Sequence, residues 1–482
     1  MRLLLALLLS VVIVPTQATA FCGFFVSGAD ANLYNDASQV VLMRKGNRTV
    51  MSMSNNYKGP AADFAMVVPV PVVLQEKQVK TLAPSVFDKV DQLSAPRLVE
   101  YWEKDPCHPE VDRFMAFMSG APTSAAQLDG AGALGVTIEA KFSVGEYEIV
   151  ILSANEANGL DTWLRRNQYN IPEGAAEALA PYIRQEMKFF VAKVNIDKVK
   201  RDAQGVAVLS PLRFDFESPT LRLPVRLGLL NAKGKQDLLI YILHEKSRFE
   251  VANYKNVFIP SNLEVENDVR TRFGDFYTAL FDATLEKAGG KAVVTEYAWQ
   301  TTDCDPCPVP PLQPEDLFTL GGDVLSKGAG SATAIPVGAP ALPGEKVQRS
   351  MPFFGNFSSW VLTRLHTRYS KETLSEDLVF VEAGPVRGGR GSAGASLEQP
   401  GGVETATVNN FQGRYIIRHY WDGPAKCDEP IYGRWGGPSS GEQKTQAATN
   451  LAGAKRDAVN LKQSVRSNLP QLSLPGKSAP TR

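Results

Sequence analysis

Alternating apolar and polar residues mark several strands in the first third of the chain. The segments Ser38 to Met43 and Thr49 to Ser54 are apolar-leaning runs that flank the polar turn Arg44 to Asn47. Residues 136–144 and 147–151 alternate on either side of Gly145. A period of two places every second side chain on one face, so each pair of segments predicts an antiparallel hairpin.

A second group of strands is predicted further along the chain. Apolar residues recur at every second position from Leu221 to Leu229, which predicts one antiparallel strand with a solvated face. The run Leu238 to Leu243 is apolar on both faces, as a central strand would be. Ala292 to Trp299 is a further strand, and strands near Trp360 to Tyr369 and Phe411 to Tyr420 are expected to return to the sheet.

Apolar residues recur every three or four positions in other segments and predict helices there. The predicted helices are Val86 to Leu93, restarting after Pro96 through Trp102, then Ala157 to Arg166, Glu173 to Met187, and a helix through Val269 to Leu280 that ends at Gly289-Gly290. Together the segments predict an α+β fold: mainly antiparallel sheet with interspersed helices, Gly/Pro-rich loops and a mobile C-terminal tail.

The first twenty residues have the pattern of a secretory signal peptide. Arg2 is a short basic region, Leu3 to Val14 is almost entirely apolar, and Ala18-Thr19-Ala20 is an A-x-A cleavage site. The apolar run is about twelve residues, shorter than the roughly 20 that span a bilayer. A retained anchor is the alternative, but we expect cleavage after Ala20, no membrane span after cleavage, and a periplasmic or secreted location.

Composition divides the chain into five parts. The predicted organisation begins with a signal peptide over 1–20 and an α+β core over 21–320, with a candidate subdomain break near 110–135. A Gly/Ala/Pro-rich linker or loop over 321–350 follows. A β-rich segment over 351–436 then completes the core, and 437–482 is a polar, largely disordered tail. The linker is rich in small residues and Pro and cannot bury enough apolar area to order itself.

Charge excludes some classes of partner. The chain has 51 basic and 51 acidic residues, and the loss of Arg2 with the leader leaves the mature protein slightly negative. No global field therefore attracts nucleic acid. The expected partner is an unknown envelope or extracellular molecule.

Five cysteines are present, Cys22, Cys107, Cys304, Cys307 and Cys427. An exported chain meets an oxidising environment, so disulfides are the first expectation for them. Any four cysteines allow three connectivities, and the sequence does not choose between them. Because the number is odd, one thiol is left free or pairs between molecules.

Cys304 and Cys307 form a C-x-x-C motif, which raises the question of redox chemistry. A reactive pair usually begins a helix, where the macrodipole lowers the pKa of the thiol. Here a proline-dense stretch follows, and Asp303 and Asp305 disfavour a thiolate. We therefore favour a structural disulfide over a redox pair. A zinc site with Cys107, His108 or Cys427 as further ligands is a weaker alternative.

Two histidines stand among arginines and tyrosines, in TRLHTRY and IIRHYW. If these strands were neighbours, Arg364, His366, Arg418 and His419 would form one basic, aromatic face suited to an anionic or sugar ligand. The alternative, with aromatic residues in the core and arginines in solvent, is favoured. His244 ends an apolar strand pattern and is predicted to be structural.

Motifs of known catalytic machinery are absent from the sequence. It has no G-x-S-x-G, no P-loop and no G-x-G-x-x-G after a strand. No catalytic residue, cofactor or metal is therefore nominated, and whether the protein is an enzyme stays uncertain, with a non-enzyme favoured.

Several stretches resemble a bacterial family of exported proteins, domain-of-unknown-function family 2330. They are Ala29 to Leu74, Ala95 to Cys107, Ala157 to Pro172, Leu362 to Phe380 and Phe411 to Cys427. The resemblance supports an exported location and implies no activity for any residue. The leading hypothesis is a non-enzymatic binding or assembly scaffold of the cell envelope. The alternatives are a thiol-disulfide oxidoreductase that uses Cys304 and Cys307 and, more weakly, a zinc-dependent hydrolase.

Overall fold

The computed structural model describes most of the chain. The described residues are 24–26, 34–58, 65–107, 136–167, 169, 174–201, 207–231, 235–304, 306–326, 360–370, 372–388, 403–437, 445–447 and 459–477. The predicted signal peptide, Cys22, His108, the candidate break near 110–135 and most of the linker over 321–350 lie outside them.

An eleven-stranded, mostly antiparallel sheet forms the centre of the fold, and we call it the central sheet. Its order is Glu404–Thr405, Val386–Gly388, Asn410–Gln412, Ala292–Gln300, Val361–Tyr369, Gln236–His244, Tyr34–Lys45, Arg48–Lys58, Leu212–Glu217 and Val79–Thr81, with Lys255–Phe258 paired to Ala292–Gln300. The segment after the linker thus supplies a strand in the middle of this sheet.

Four smaller sheets accompany the central sheet. The second sheet is antiparallel, in the order Phe24–Val26, Ala65–Val70, Lys188–Val194, Tyr147–Ala154 and Val136–Val144. The third sheet contains Leu263–Glu264, Arg414–His419, Arg97–Glu103, Trp435–Gly436 and Thr445–Ala447. The smallest two are Leu221–Leu223 with Leu378–Ala383 and Arg248–Val251, and Lys200–Arg201 with Ala207–Val208.

Within the described residues, the helices are mostly short. The α-helices are Ser85–Ser94, Ala157–Arg166, Ala175–Ile183, Phe273–Lys287, Pro314–Leu317, Asp323–Leu325 and Leu461–Ser464, with a π-helical turn at Phe318–Gly322. The 3₁₀ segments are Glu76–Gln78, Ile196–Lys198, Arg226–Asn231, Asn267–Arg272 and Pro470–Leu472.

These elements stack in four layers. One face of the central sheet packs on the second sheet through residues such as Phe190, Phe214 and Ile240. Its other face is covered by the helices Ser85–Ser94 and Phe273–Lys287. The helices Ala157–Arg166 and Ala175–Ile183 cover the outer face of the second sheet. Each fully buried Leu or Phe in these layers contributes about 1.5–3 kcal/mol.

The α+β prediction is confirmed, and several elements have the predicted bounds. The strands Val136–Val144 and Tyr147–Ala154 form the predicted hairpin, with Gly145 at φ +58° between them. Helix Ala157–Arg166 has the bounds expected from its pattern. Gln236–His244 is flanked by strands on both sides, as its two apolar faces predicted.

Two predictions are wrong because of proline. The predicted helix restart after Pro96 is a strand, Arg97–Glu103: the extended Ala95, at ψ 145°, ends the preceding helix, and the strands of the third sheet pair with the segment that follows. The long strand expected from Leu221 to Leu229 stops at Leu223 and is followed by a 3₁₀ segment, since Pro224 has no N–H to continue a ladder.

Residues 459–477, within the predicted tail over 437–482, are among the described residues. Val465 and Leu469 are buried beside helix Phe273–Lys287, and Leu461–Ser464 forms a single helical turn before them. Leu461, Val465 and Leu469 have helical spacing, but the backbone is already extended at Val465. These side chains fill gaps in a core that other elements build.

Candidate functional site

Two of the four predicted ligand-binding residues lie inside the protein. Arg364 and His366 are on strand Val361–Tyr369, and both side chains are 0% exposed. Their face of the central sheet is the one covered by helices. The register opposes Arg364 to Tyr241 on one neighbouring strand and to Tyr297 on the other.

A β-bulge brings the side chain of Glu296 into contact with those of Arg364 and His366. The register between the strands shifts from Thr295 to Tyr297, so Glu296 is an extra residue without an opposite partner. A bulge re-aims a side chain locally. Here Arg364 Nε donates to Glu296 Oε2 at 2.7 Å, and His366 Nδ1 lies 2.9 Å from Glu296 Oε1.

The surroundings of His366 favour its protonated form. Its Nδ1 faces Glu296, and its Nε2 lies 3.1 Å from Asp237 Oδ1. A neutral imidazole has one N–H, whereas two carboxylates require two donors. Burial alone would lower the pKa of His366, but attraction to Glu296 and the hydrogen bonds to both carboxylates outweigh it and raise the pKa above its ordinary value.

The charged groups form one buried ion network, defined as Asp91, Asp237, Glu296, Arg364, His366 and Arg368. Arg364 pairs with Asp91 on helix Ser85–Ser94, and the ring of Phe281 stacks on His366 with centroids 3.8 Å apart. The network therefore fastens helices on one face of the central sheet. All its members have partners inside the protein.

The acidic residues of the network were not among the candidates that the sequence pattern indicated. A signal was present, because Glu296 interrupts the apolar run AVVTEYAW and Asp237 stands directly before LLIYIL. A charge within an apolar strand marks a buried ion pair, since an unpaired buried charge is too costly. The partner, however, depends on the register.

Arg418 and His419 lie in the third sheet, on strand Arg414–His419, so the structure does not place them beside Arg364 and His366. His419 stacks on Trp102, with ring centroids 4.5 Å apart. The guanidinium of Arg418 lies 5.1 Å from the ring centroid of Trp435. Both side chains thus belong to a half-buried aromatic surface.

A long loop follows this strand, and we call residues 421–433 the pinned loop. Glu103, which is 5% exposed, accepts hydrogen bonds from Trp421 N at 3.0 Å and from Gly433 N at 2.6 Å. One buried carboxylate therefore holds both ends of the loop. Gly433 has φ +81°, a backbone conformation that favours glycine.

Further contacts restrain the loop between its ends. Cys427 and Cys107 are at disulfide distance, with an S–S separation of 2.19 Å, and Ile431 N donates to Pro106 O at 3.0 Å. The side chains of Ile431 and Tyr432 nevertheless point outward, at 61% and 40% exposed. The loop is fixed in position and presents an aliphatic and an aromatic side chain to solvent.

Cys304 and Cys307 are the second pair at disulfide distance, with an S–S separation of 1.88 Å. They lie in the connection between strand Ala292–Gln300 and the helical turn at Pro314, so neither begins a helix. Cys304 is 8% exposed and Cys307 is exposed. Arg97 Nη1 donates to Pro306 O at 2.6 Å and holds this connection in place.

The weaker zinc hypothesis loses two of its ligands in this state, because the sulfurs of Cys107 and Cys427 face each other rather than presenting thiolates. Among the described residues, no group of three or more His, Cys, Asp or Glu side chains is arranged to hold a metal. Within the same residues, no helix has both the length and the apolar character needed to cross a bilayer.

Comparison with known proteins identifies a family and nothing more specific. No curated protein and no solved structure matches the chain. A family model described as "Uncharacterized protein conserved in bacteria (DUF2330)" matches residues 15–381, which include all residues of the buried ion network and end before the pinned loop. The chain therefore belongs to this bacterial family of uncharacterised proteins.

Proposed function

We propose that the protein is an exported, non-enzymatic scaffold of the bacterial cell envelope and that it binds a partner through the pinned loop. The pinned loop carries this proposal. Loops of more than about a dozen residues without regular structure are uncommon in compact domains and are usually functional or disordered. This loop is held at both ends by Glu103, so disorder is not the reason for its length.

The restraints favour binding energetically. Association costs about 0.5–1.5 kcal/mol for each side chain or loop group that must be ordered. The contacts of Glu103, Cys107 and Pro106 already order the loop in the folded protein, so most of that ordering cost does not arise on binding. Ile431 and Tyr432 then offer apolar area in a fixed geometry, and a tyrosine is among the residues enriched at binding hot spots.

Export is supported by the leader-like first twenty residues and by the cysteines. Two pairs at disulfide distance suit an oxidising compartment, since cytosolic thiols are kept reduced. The expected location is the periplasm or the outside of the cell. The partner is then an envelope or extracellular molecule.

The experiment compares matched surface variants of the mature protein. Ile431→Ser/Tyr432→Ser removes the apolar side chains of the loop, and Ile196→Ser/Val408→Ser removes two comparably exposed side chains elsewhere, at 45% and 57%. Crosslinking in the intact envelope identifies candidate partners, and the affinity of each purified partner for the three proteins is then measured. We expect one partner that binds the wild type and the control variant equally well. The same partner should bind the loop variant at least about tenfold more weakly. Equal binding by both variants, or turnover of an envelope substrate that survives purification, contradicts the proposal.

A second candidate function is thiol-disulfide exchange at Cys304 and Cys307, and the exposure of Cys307 favours it. The absence of a helix start at either cysteine weakens it, because the dipole that would stabilise a thiolate is missing. This candidate requires that the wild type reduce insulin in the presence of a dithiol and that Cys304→Ala abolish the activity while the fold is kept. A wild type without that activity ends it.

A further inference from the structure

A cavity of about 190 Å³ lies between the central sheet and the second sheet, at one end of the layered core. Its walls include Met51, Phe214 and Phe216 from the central sheet. Arg222 and Asp377 also line it and supply its charged groups. The cavity is independent of the pinned loop, and all of its residues fall within the part of the chain that matches the family model.

Asp377 has one satisfied and one unsatisfied oxygen. The residue is 3% exposed. Its Oδ1 accepts hydrogen bonds from Tyr182 Oη at 2.6 Å and Val225 N at 3.0 Å, and Arg226 Nε is 3.6 Å from the same oxygen. Its Oδ2 is buried and has no hydrogen-bond partner among the described residues. An unsatisfied buried acceptor costs free energy, and a donor on a ligand would remove that cost.

Arg222 offers the opposite chemistry. Its Nη1 donates to Gln185 Oε1 at 2.9 Å, and the side chain is half-buried. A guanidinium carries five N–H donors in a planar fork, so this contact leaves donors for a carboxylate.

The strand register sets the spacing between the two charges. Leu223 pairs with Leu378, and Arg222 and Asp377 lie on opposite sides of that pair along the ladder. Residues in this diagonal relation share a face and have Cα atoms on the order of 7–8 Å apart. A ligand between them can present an ammonium to one and a carboxylate to the other.

The volume limits what the apolar part of a ligand can be. An engineered apolar cavity of about 150 Å³ in another protein holds one benzene molecule. The present cavity, at about 190 Å³, therefore accommodates one ring or one branched aliphatic group.

We propose that this cavity binds a free amino acid with a large apolar side chain, with its ammonium at Asp377, its carboxylate at Arg222 and its side chain among Met51, Phe214 and Phe216. The three parts of the ligand match three separate features of the cavity: an unsatisfied acceptor, a cation with spare donors and an apolar space of one-ring size.

Calorimetric titration of the purified protein with four probes tests this assignment. L-phenylalanine has all three groups, 3-phenylpropanoate lacks the ammonium, 2-phenylethylamine lacks the carboxylate and glycine lacks the ring. We expect L-phenylalanine to bind with a Kd between about 10 μM and 1 mM, a range that suits a ligand of about twelve non-hydrogen atoms. The other probes should bind at least about tenfold more weakly, since each loses a charged hydrogen bond or the apolar contact.

Two conservative variants separate the charged contacts. Arg222→Gln should weaken the binding of L-phenylalanine and 3-phenylpropanoate at least about tenfold and leave the binding of 2-phenylethylamine unchanged. Asp377→Asn should weaken the binding of L-phenylalanine and 2-phenylethylamine to the same extent and leave the binding of 3-phenylpropanoate unchanged. Arg184→Gln, at an exposed position outside the cavity lining, should change none of them. If Asp377→Asn does not fold, Met187→Trp replaces it, and this filling of the cavity should abolish binding of every ring-bearing probe.

The proposal would be overturned by the absence of binding by L-phenylalanine below about 10 mM, by equal binding of all four probes, or by unchanged binding in Arg222→Gln. Tighter binding of phenylalanyl-glycine than of L-phenylalanine would also overturn it, because the site would then take peptide ends rather than the free amino acid.

Discussion

His366 and Glu296 show how one residue inserted into a strand organises the interior. Without the bulge between Thr295 and Tyr297, Glu296 would not be an extra residue beside Arg364 and His366. With it, a carboxylate accepts from both cations at once, at 2.7 and 2.9 Å. Removing one member of a buried ionic group typically costs about 3–5 kcal/mol, because its partners stay buried and unpaired.

Replacement of His366 should destabilise the protein in a pH-dependent way. The pKa of His366 is raised in the folded state, so its stabilising contribution is complete below the unfolded pKa of about 6.5 and is lost as pH rises through the folded pKa. His366→Gln should therefore lower the free energy of unfolding by on the order of 3–5 kcal/mol at about pH 6 and by less at high pH, measured by urea denaturation.

His244 provides the control for that measurement. Burial lowers the pKa of His244, so its contribution has the opposite sign: it is present above about pH 6.5 and is lost as pH falls. His244→Gln should cost less at low pH than at neutral pH. A cost of His366→Gln that grows with pH would show that His366 is neutral in the folded protein.

Individual residues were predictable only where local chemistry decides their role. Gly145 and the Gly289-Gly290 pair were assigned from sequence because a turn and a helix end need a positive φ, and all three have one. The partners of Glu296 and Cys107 could not be predicted from the sequence, because those contacts join segments far apart in the chain. Cys107 and Cys427, for example, are 320 residues apart. Register and topology determine them.

Among the elements, the pinned loop has both of its ends held by one carboxylate, that of Glu103. Glu103→Ala should release both ends and raise amide hydrogen exchange across residues 421–433, with a loss of local opening free energy on the order of 2–3 kcal/mol. Glu103→Gln keeps one acceptor oxygen without the charge, so its effect should be smaller. Unchanged exchange in Glu103→Ala would mean that the disulfide alone fixes the loop.

The two glycine turns of the predicted hairpins form a matched pair. Gly46 and Gly145 have φ +56° and +58°, but a Cβ at Gly46 meets nothing within 4 Å whereas one at Gly145 would lie 2.8 Å from Thr81 Cγ2. Gly46→Ala should cost about 1–2 kcal/mol from backbone strain alone. Gly145→Ala should cost roughly 1–3 kcal/mol more from overpacking.

Chemical denaturation of the two variants measures that difference. Adding Thr81→Ala to Gly145→Ala removes the clashing methyl and should bring its cost, relative to Thr81→Ala alone, down to that of Gly46→Ala. If Gly46→Ala and Gly145→Ala cost the same without Thr81→Ala, the close approach of Thr81 is not real.

Strands and helices with a clear period were predictable, and those ended by proline were the exceptions. The pattern from Leu221 to Leu229 is a good strand pattern, yet the ladder ends at Leu223 because Pro224 cannot donate. Likewise the apolar residues after Pro96 fit a helix by spacing, but the third sheet provides pairing partners on both sides of Arg97–Glu103. Tertiary pairing overrides spacing in such short segments.

At the scale of the whole molecule, the two cysteine pairs should differ in what they contribute to stability. Cys107 and Cys427 close a loop of 320 residues, whereas Cys304 and Cys307 are 3 apart. In the chain-entropy account a long closed loop is worth about 4–5 kcal/mol and a very short one far less. Cys107→Ala/Cys427→Ala should therefore lower the unfolding midpoint much more than Cys304→Ala/Cys307→Ala.

The measurement is thermal unfolding of both double variants beside the oxidised and the reduced wild type. Reduction should bring the wild type close to the Cys107→Ala/Cys427→Ala variant. A larger loss from the Cys304→Ala/Cys307→Ala variant would place the stabilising clasp at the C-x-x-C motif instead.

The architecture of the whole chain was predictable as a class and not as an arrangement. Alternating segments with interspersed helical patterns indicate α+β, and the sheets confirm it. The four layers could not be derived, because they require strands from residues 34–45, 236–244 and 361–369 to become neighbours. Nothing local in those segments encodes their order.

We propose that this chain is exported and that its cysteines form covalent links that hold a binding surface in place. Mass-spectrometric mapping of the protein recovered from its native cells tests both statements. We expect a mature chain that begins at Phe21, in the envelope or extracellular fraction, with Cys107 linked to Cys427 and Cys304 linked to Cys307. A cytoplasmic chain that retains residues 1–20 and carries reduced, readily alkylated cysteines would contradict it.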